Sequence, residues 1–381
     1  MRIAMLGTRG VPAHYGGFET CVEEVGARLA ARGHDVVVYC RSTAPKAQRP
    51  KRHRGMRLVY LPAIRRRSLE TLSHSAISVA HLMLHGADVA FFYNSANAAF
   101  LPLARLRRIP VATHVDGLEW KRAKWSGAGR RYYRVAEQLA VRWSDALIAD
   151  AQGIADYYTA QFAAPTVGIA YGTATPTPEA VHRISELGLE PGGYHLVVAR
   201  FEPENHVDTI VDGYVRSGCA LPLVVVGSAP YGREYTDRVR RLADGRVRML
   251  GGIWDNELLD GLYAGALTYL HGHSVGGTNP SLLRAMGAST AVIAWDVNFN
   301  EEVLGDAGLY FSRPDELARL LEAAESDPEA EALRGLRGAE EAKRYDWNDV
   351  AERYEALAKE LPARRAAGRR MSGRRLEAAP R

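Results

Sequence analysis

A chain of 381 residues, 47% hydrophobic and 24% charged, has the length for two ordinary domains and the composition to bury a core in each. Its net charge of +5 hides an asymmetry: residues 1–180 hold 24 Lys+Arg against 13 Asp+Glu, and the remainder is net acidic. Three widely spaced cysteines, Cys21, Cys40 and Cys219, exclude a disulfide framework and show no metal or redox spacing, which suits a reducing cytoplasm.

Arg2–Thr8 reads as a short apolar strand ending in small residues, and no apolar run follows a basic stub, so no secretory leader is expected. Phe18, Val22, Val25 and Leu29 then recur at helical spacing until Gly33. Strands are predicted over 35–40, 56–62, 88–94, 109–116, 145–150 and 165–172. Helices are predicted over 69–85, 99–107, 130–143 and 152–162. The longest apolar stretch, Leu69–Phe92, is broken by Glu70, His74, His81, His85 and Asp88, which argues against a membrane span. Thr173–Ala180, TATPTPEA, is a Pro/Thr-rich break. Alternation restarts with strands over 194–200, 221–228, 246–252, 266–273 and 291–296, helices between them, and a last amphipathic helix over 347–361.

Strand–helix alternation with near-continuous Val/Ile/Leu strands predicts α/β architecture, two parallel sheets covered on both faces. The predicted organisation is a first domain over 1–172, a linker over 173–192, a second domain over 193–345, a helix over 346–363 and a basic tail over 364–381, expected to be disordered. Ligands of such sheets bind outside the strands' carboxyl ends, here in a cleft between the halves.

Three loops stand at such ends. Gly7–Thr20, GTRGVPAHYGGFET, is glycine-rich and enters a helix, so its amides suit an anion or sugar hydroxyl, or its glycines simply make a turn. It matches neither G-x-G-x-x-G nor the P-loop, which argues against a nicotinamide oxidoreductase and a nucleoside-triphosphatase. Ala199–His206, ARFEPENH, sets Arg200 directly after a strand. Its forked guanidinium suits a phosphate, unless it pairs with Glu202 or Glu204. In Ser274–Thr290, SVGGTNPSLLRAMGAST, GGTNP opens a helix with unobstructed amides and with Pro280 where its missing N–H costs nothing, a diphosphate cradle or else a capped helix. His114, Asp116 and Glu119 follow a strand and are catalytic candidates, structural pairing with Lys121 or Arg122 being the alternative. His271 and His273 have no evident third ligand, so no metal site is expected there. The basic runs Arg49–Arg57 and Ile64–Ser68 suit either a solvated surface or anionic lipid headgroups. Without interleaved aromatics they do not suggest nucleic acid.

The stretches GTRGVPAHYGGFETCVEE, YLPAIRRRSLETLSH, VDGLEWKRAKW, RFEPENH and HGHSVGGTNPSLL, in this order, resemble GT-B glycosyltransferases of the family 4 type. More narrowly they resemble the bacterial capsule and exopolysaccharide, rhamnosyltransferase-like subgroup. The resemblance implies two Rossmann-like domains facing across a cleft, the second holding the donor and the first the acceptor. The final helix would cross back to the first domain. It implies a retaining, metal-independent hexosyl transfer from a nucleoside-diphosphate sugar, with no resident cofactor. The acceptor would be a saccharide or lipid-linked saccharide in surface polysaccharide synthesis, the enzyme cytoplasmic or peripheral at an anionic inner membrane.

Carried over by position, Gly16 and Gly17 would lie near the donor diphosphate and sugar, and Arg200 would bind the diphosphate. The amides of Gly277, Thr278 and Asn279 would complete the cradle. Asp116 falls where many relatives carry a histidine near the reacting carbon. Asn205 replaces a lysine common in the family, and Gly276 and Arg284 occupy the positions of two glutamates. At Arg284 a glutamate accepting from the donor ribose is expected. A guanidinium can only donate, so Arg284 either meets the ribose or a phosphate as a donor of hydrogen bonds, or weakens the site. A degenerate, non-catalytic relative acting as a binding or scaffold subunit is the alternative reading, and a sugar-nucleotide epimerase on the same scaffold fits the motifs less well.

Overall fold

The short runs of consecutive Val, Ile, Ala and Phe fold as strands buried on both faces, because each is sandwiched between helices. The computed structural model describes residues 1–13, 16–42, 49–64, 69–115, 118–122, 125, 127–228 and 233–366. Two compact units emerge. One comprises Met1–Trp120, Trp125–Tyr171 and the chain from Trp347 onward; Lys121–Lys124 and Gly172–Asp346 make the other.

The first unit's strands are β1 (Arg2–Leu6), β2 (Asp35–Arg41), β3 (Arg52–His53), β4 (Met56–Leu61), β5 (Val89–Tyr93), β6 (Val111–His114), β7 (Ala146–Ala149) and β8 (Val167–Gly168). Their order is β3-β4-β2-β1-β5-β6-β7-β8. All neighbours are parallel except β3 with β4, where Arg52 faces Arg57. Two residues leave too little alternation for β3 to be read from sequence. Met5 lies opposite Val38 on one side and Phe91 on the other, in the middle of the core.

The Trp347–Ala366 helix packs on the Gly17–Ala31 helix of this unit. Its Tyr354 is fully buried, with its ring 5.0 Å from that of Phe91 and its hydroxyl 2.9 Å from His114 Nδ1. At the rim Arg32 donates to Glu355 at 2.9 Å and Arg28 to Asn348 at 3.1 Å.

The second unit's strands are β9 (His195–Val198), β10 (Leu223–Val226), β11 (Val247–Gly251), β12 (Thr268–His271), β13 (Ala291–Trp295) and β14 (Gly308–Phe311), all parallel. Their order β11-β10-β9-β12-β13-β14 is the doubly wound 3-2-1-4-5-6 arrangement. The Pro/Thr-rich stretch is structured. Pro178–Leu187 winds a 3-10 helix with Ala180 and Ile184 buried. The Asn256–Gly265 helix lies close enough that a Cβ on Gly261 would fall 2.2 Å from the Ala180 carbonyl. The segment read as a linker is thus partly a wall of the second unit. In both units the strand order reverses beside the first strand, between β1 and β5 and between β9 and β12. Loops leaving those strands' carboxyl ends therefore part to leave a crevice.

Candidate active site

In the first unit the loop after β1 is held by its glycines. Gly7 has φ +99°, and a Cβ there would sit 2.4 Å from the Tyr93 carbonyl. Arg9 N–H donates to Glu19 Oε1 at 3.0 Å. Gly16 has φ +113°, and a Cβ would meet the other Glu19 oxygen at 2.4 Å. Gly17 opens the following helix, which no side chain caps, so the amides of its first turn remain the groups it can offer a ligand.

β6 delivers His114 into a fully buried pocket of aromatic rings. Phe18 lies edge-on at 5.1 Å and Tyr171 stacks at 5.7 Å. His114 Nε2 is 3.9 Å from Asp150 Oδ2. Burial pushes the imidazole down to about 3, so it is neutral at physiological pH. Asp116, two residues on, lies outside the described residues. Glu119 is buried and accepts from Trp125 Nε1 at 3.3 Å.

The second unit brings two of the sequence-derived loops together at the β9/β12 crevice. His206 Nδ1 meets the Gly272 carbonyl at 2.8 Å, and Ser274 N–H donates to the Glu204 carbonyl at 2.9 Å. The loops approach so closely that a Cβ on Gly272 would fall 2.1 Å from the Asn205 carbonyl. Arg200 leaves β9 with its guanidinium 3.8 Å from Glu202 Oε1 and about a third exposed. Asn205 does not face outward. It is buried and donates through Nδ2 to the Arg200 carbonyl at 2.8 Å, which fixes the loop that carries the arginine. Its position among the donor-binding residues is therefore indirect.

Asn279 caps the Pro280–Gly287 helix, accepting from Ser281 N–H at 3.0 Å, while Thr278 is buried and Gly276 takes φ +141° in open space. Gly277 sits between them, half-buried.

Sequence reasoning missed several members. Arg122 sits with the second unit, its guanidinium 3.7 Å from Glu204 and 3.9 Å from Glu202. No local pattern could announce a partner some 80 positions away. His271 and His273 stack at 4.5 Å, and His271 Nε2 and His273 Nδ1 are buried without a hydrogen-bond partner among the described residues. Burial holds His273 well below its usual range, helped by the charges of His271, Arg200, Arg122 and His206. A glycine-lined edge with the Arg200 and Arg122 guanidiniums beside Glu202 and Glu204, and neutral imidazoles behind it, offers forked donors of hydrogen bonds that an anion can use.

Arg284 points away from that edge. Its Nε donates to Asp260 at 2.6 Å, another nitrogen donates to the Asn256 carbonyl at 2.8 Å, and its guanidinium lies 5.6 Å over the Tyr263 ring. The Arg in place of the expected glutamate is thus the partner of a carboxylate on the Asn256–Gly265 helix.

Residues 16–172 match the family described as Glycosyl transferase 4-like domain, and residues 194–327 match Glycosyl transferases group 1. Escherichia coli O-antigen chain mannosyltransferase B is 28% identical over 171 residues, 41% of this chain and 43% of that protein. The chain matches less than half the length of the curated relatives it resembles. Sucrose-phosphate synthase from Thermosynechococcus elongatus superposes with a TM-score of 0.79 at 21% identity, covering 95% of this chain and 99% of that one. Anabaena HepE in complex with UDP superposes with 0.74 at 18% identity, covering 95% and 100%. At these identities the structural likenesses establish the fold.

Proposed function

Taking as premise a GT-B glycosyltransferase chain, a 4-like domain followed by a group 1 domain, we propose that it transfers a hexose, rhamnose or a related sugar, with retention. The donor is a nucleoside-diphosphate sugar and the acceptor a saccharide or lipid-linked saccharide of the cell surface. The observation that carries this reading is the β9/β12 crevice, where the Arg200 loop and the GGTNP loop are stitched into one edge. Solved HepE complexes hold UDP and UDP-glucose, which supports a nucleotide-sugar donor here, and the relative O-antigen chain mannosyltransferase B supports a sugar transfer onto a saccharide chain.

In this reading the diphosphate rests on Arg200 and the amides of Gly277, Thr278 and Asn279. As the glycosidic C–O bond breaks, negative charge grows on the leaving phosphate oxygens, and these fixed donors of hydrogen bonds stabilise it without reorganising. The acceptor hydroxyl attacks from the same face and gives its proton to the leaving phosphate. The resemblance assigns Gly16 and Gly17 to the neighbourhood of the diphosphate and sugar, and Asp116 to orienting the sugar. No metal or cofactor takes part in the transfer in this reading. The basic clusters of the first half favour an acceptor presented at an anionic membrane surface. Replacing Arg65, Arg66 and Arg67, which lie outside the described residues, by Glu should abolish liposome binding; unchanged binding refutes that part.

The test is incubation with UDP-, dTDP- and GDP-sugars plus a lipid-linked saccharide acceptor, with the product anomer read by NMR. Release of nucleoside diphosphate with a product that keeps the donor's anomeric configuration supports the proposal. Inversion overturns the mechanism. Absence of any turnover, with folded protein, moves the chain to the scaffold reading.

A further inference from the structure

We infer that the second unit contains a metal site at the amino ends of its strands β9 and β10, at the opposite end of β9 from Arg200, formed by His195, Cys219 and Glu325, with Zn2+ the ion its donors fit. The three side chains come from distant segments. His195 begins β9, Cys219 lies between the Val207–Arg216 helix and β10, and Glu325 is in the last turn of the Pro314–Ser326 helix. One ligand atom from each lies within 4.8 Å of the others. An imidazole, a thiol and a carboxylate form the mixed N/S/O set that zinc takes.

The groups are already oriented as ligands. His195 is fully buried, and its Nδ1 is tied to Thr268 Oγ1 at 2.7 Å, which fixes the ring and turns Nε2 toward Glu325 Oε1 at 3.2 Å. Glu325 accepts from the amides of Ala220 at 2.8 Å and Leu221 at 2.9 Å. The turn bearing Cys219 is pinned by Arg246, which donates to the carbonyls of Cys219 at 2.7 Å and Ser217 at 3.1 Å. Outer hydrogen bonds of this kind set ligand direction around a metal.

Bond lengths of about 2.0–2.3 Å place tetrahedral zinc ligands roughly 3.3–3.7 Å apart. The Nε2–Oε1 pair is at that spacing already, and the sulfur has to close by no more than about 1.5 Å. Binding replaces the S–H bond by a metal–thiolate bond and releases that proton to water. The Glu325 side chain is 17% exposed, which gives an ion a way in and a water the fourth position. The site is remote from the chemistry proposed above, so its role is to tie β9, the connection into β10 and the Pro314–Ser326 helix.

The full chain, stripped with EDTA and kept reduced, is titrated with Co2+. The expected result is a near-ultraviolet sulfur-to-cobalt charge-transfer band with tetrahedral d–d bands, both erased by Zn2+. Cys219→Ser should lose the charge-transfer band, while Cys21→Ser and Cys40→Ser keep it. Glu325→Gln, checked for native circular dichroism, should weaken Zn2+ at least tenfold and serves if Cys219→Ser fails to fold. No charge-transfer band, or one that survives in Cys219→Ser, overturns the proposal and leaves a hydrogen-bonded triad.

Discussion

Arg200 and Arg284 are both arginines on crevice loops or helices of the second unit, yet their surroundings assign them different work. Arg200 stands at the carboxyl end of β9, its guanidinium 3.8 Å from Glu202. A charge-assisted hydrogen bond to a phosphate is worth about 2 kcal/mol, roughly thirtyfold in affinity. Arg200→Ala should therefore weaken nucleoside-diphosphate binding by roughly that factor in a titration. Arg284 is engaged by Asp260 and the Asn256 carbonyl, the Arg284 and Asp260 side chains being partly shielded from water. Arg284→Glu would set two carboxylates side by side and lower the melting temperature by several degrees. Asp260→Asn alongside it should recover part of the loss. A glutamate that leaves stability untouched would contradict the pairing. From sequence the oddity of Arg284 was legible. Its answer was not, because Asp260 is on another helix and only the fold brings the two together.

At the scale of elements, the site is a matter of loops held at fixed separation. Asn205 was legible as a departure from a family pattern, but a side chain whose partner is a backbone carbonyl leaves no pairing signal in sequence. Asn205→Ala should remove one of two donors to the Arg200 carbonyl, which keeps the Glu202 N–H at 2.8 Å, costing about 1 kcal/mol in denaturant unfolding. It should also weaken nucleotide binding, since the arginine loop loses its brace. Gly272→Ala places a methyl against the backbone of the facing loop, and its stability loss should exceed that of Asn205→Ala.

The Gly127–Trp143 helix of the first unit carries a pH-sensitive group. Glu137 is buried beside the Tyr157 hydroxyl, and burial pushes its carboxyl up to about 7. A carboxyl raised in the folded state binds its proton more tightly than the unfolded chain does. Stability is fullest below about pH 4.3 with respect to this group, and is lost as pH rises toward 7. Thermal melts at pH 5 and 7.5 should therefore differ less in Glu137→Gln than in the native chain.

On the scale of the whole molecule, the sequence carried the α/β rhythm well because fully buried parallel strands leave long apolar runs, such as Asp35–Cys40 and Leu221–Ser228. It carried short or irregular pieces poorly. Pro178–Leu187 looked like a break because Pro and Thr dominate its start, yet Ala180 and Ile184 supply enough apolar surface to pin a 3-10 helix. Of the proposed site, the glycines and Arg200 stood out, being residues whose chemistry is legible one at a time. His271 and His273 stood out only as a pair without a third ligand, and Arg122 joins through contacts to Glu202 and Glu204 that no spacing records.

The central claim is that the β9/β12 crevice holds a nucleoside diphosphate. Isothermal titration of the full chain with UDP, dTDP and GDP, with Arg200→Ala in parallel, tests it most directly. Measurable binding of one nucleotide, weakened roughly thirtyfold in the variant, is the result expected. No binding of any of the three by folded protein, or binding indifferent to Arg200→Ala, would contradict it.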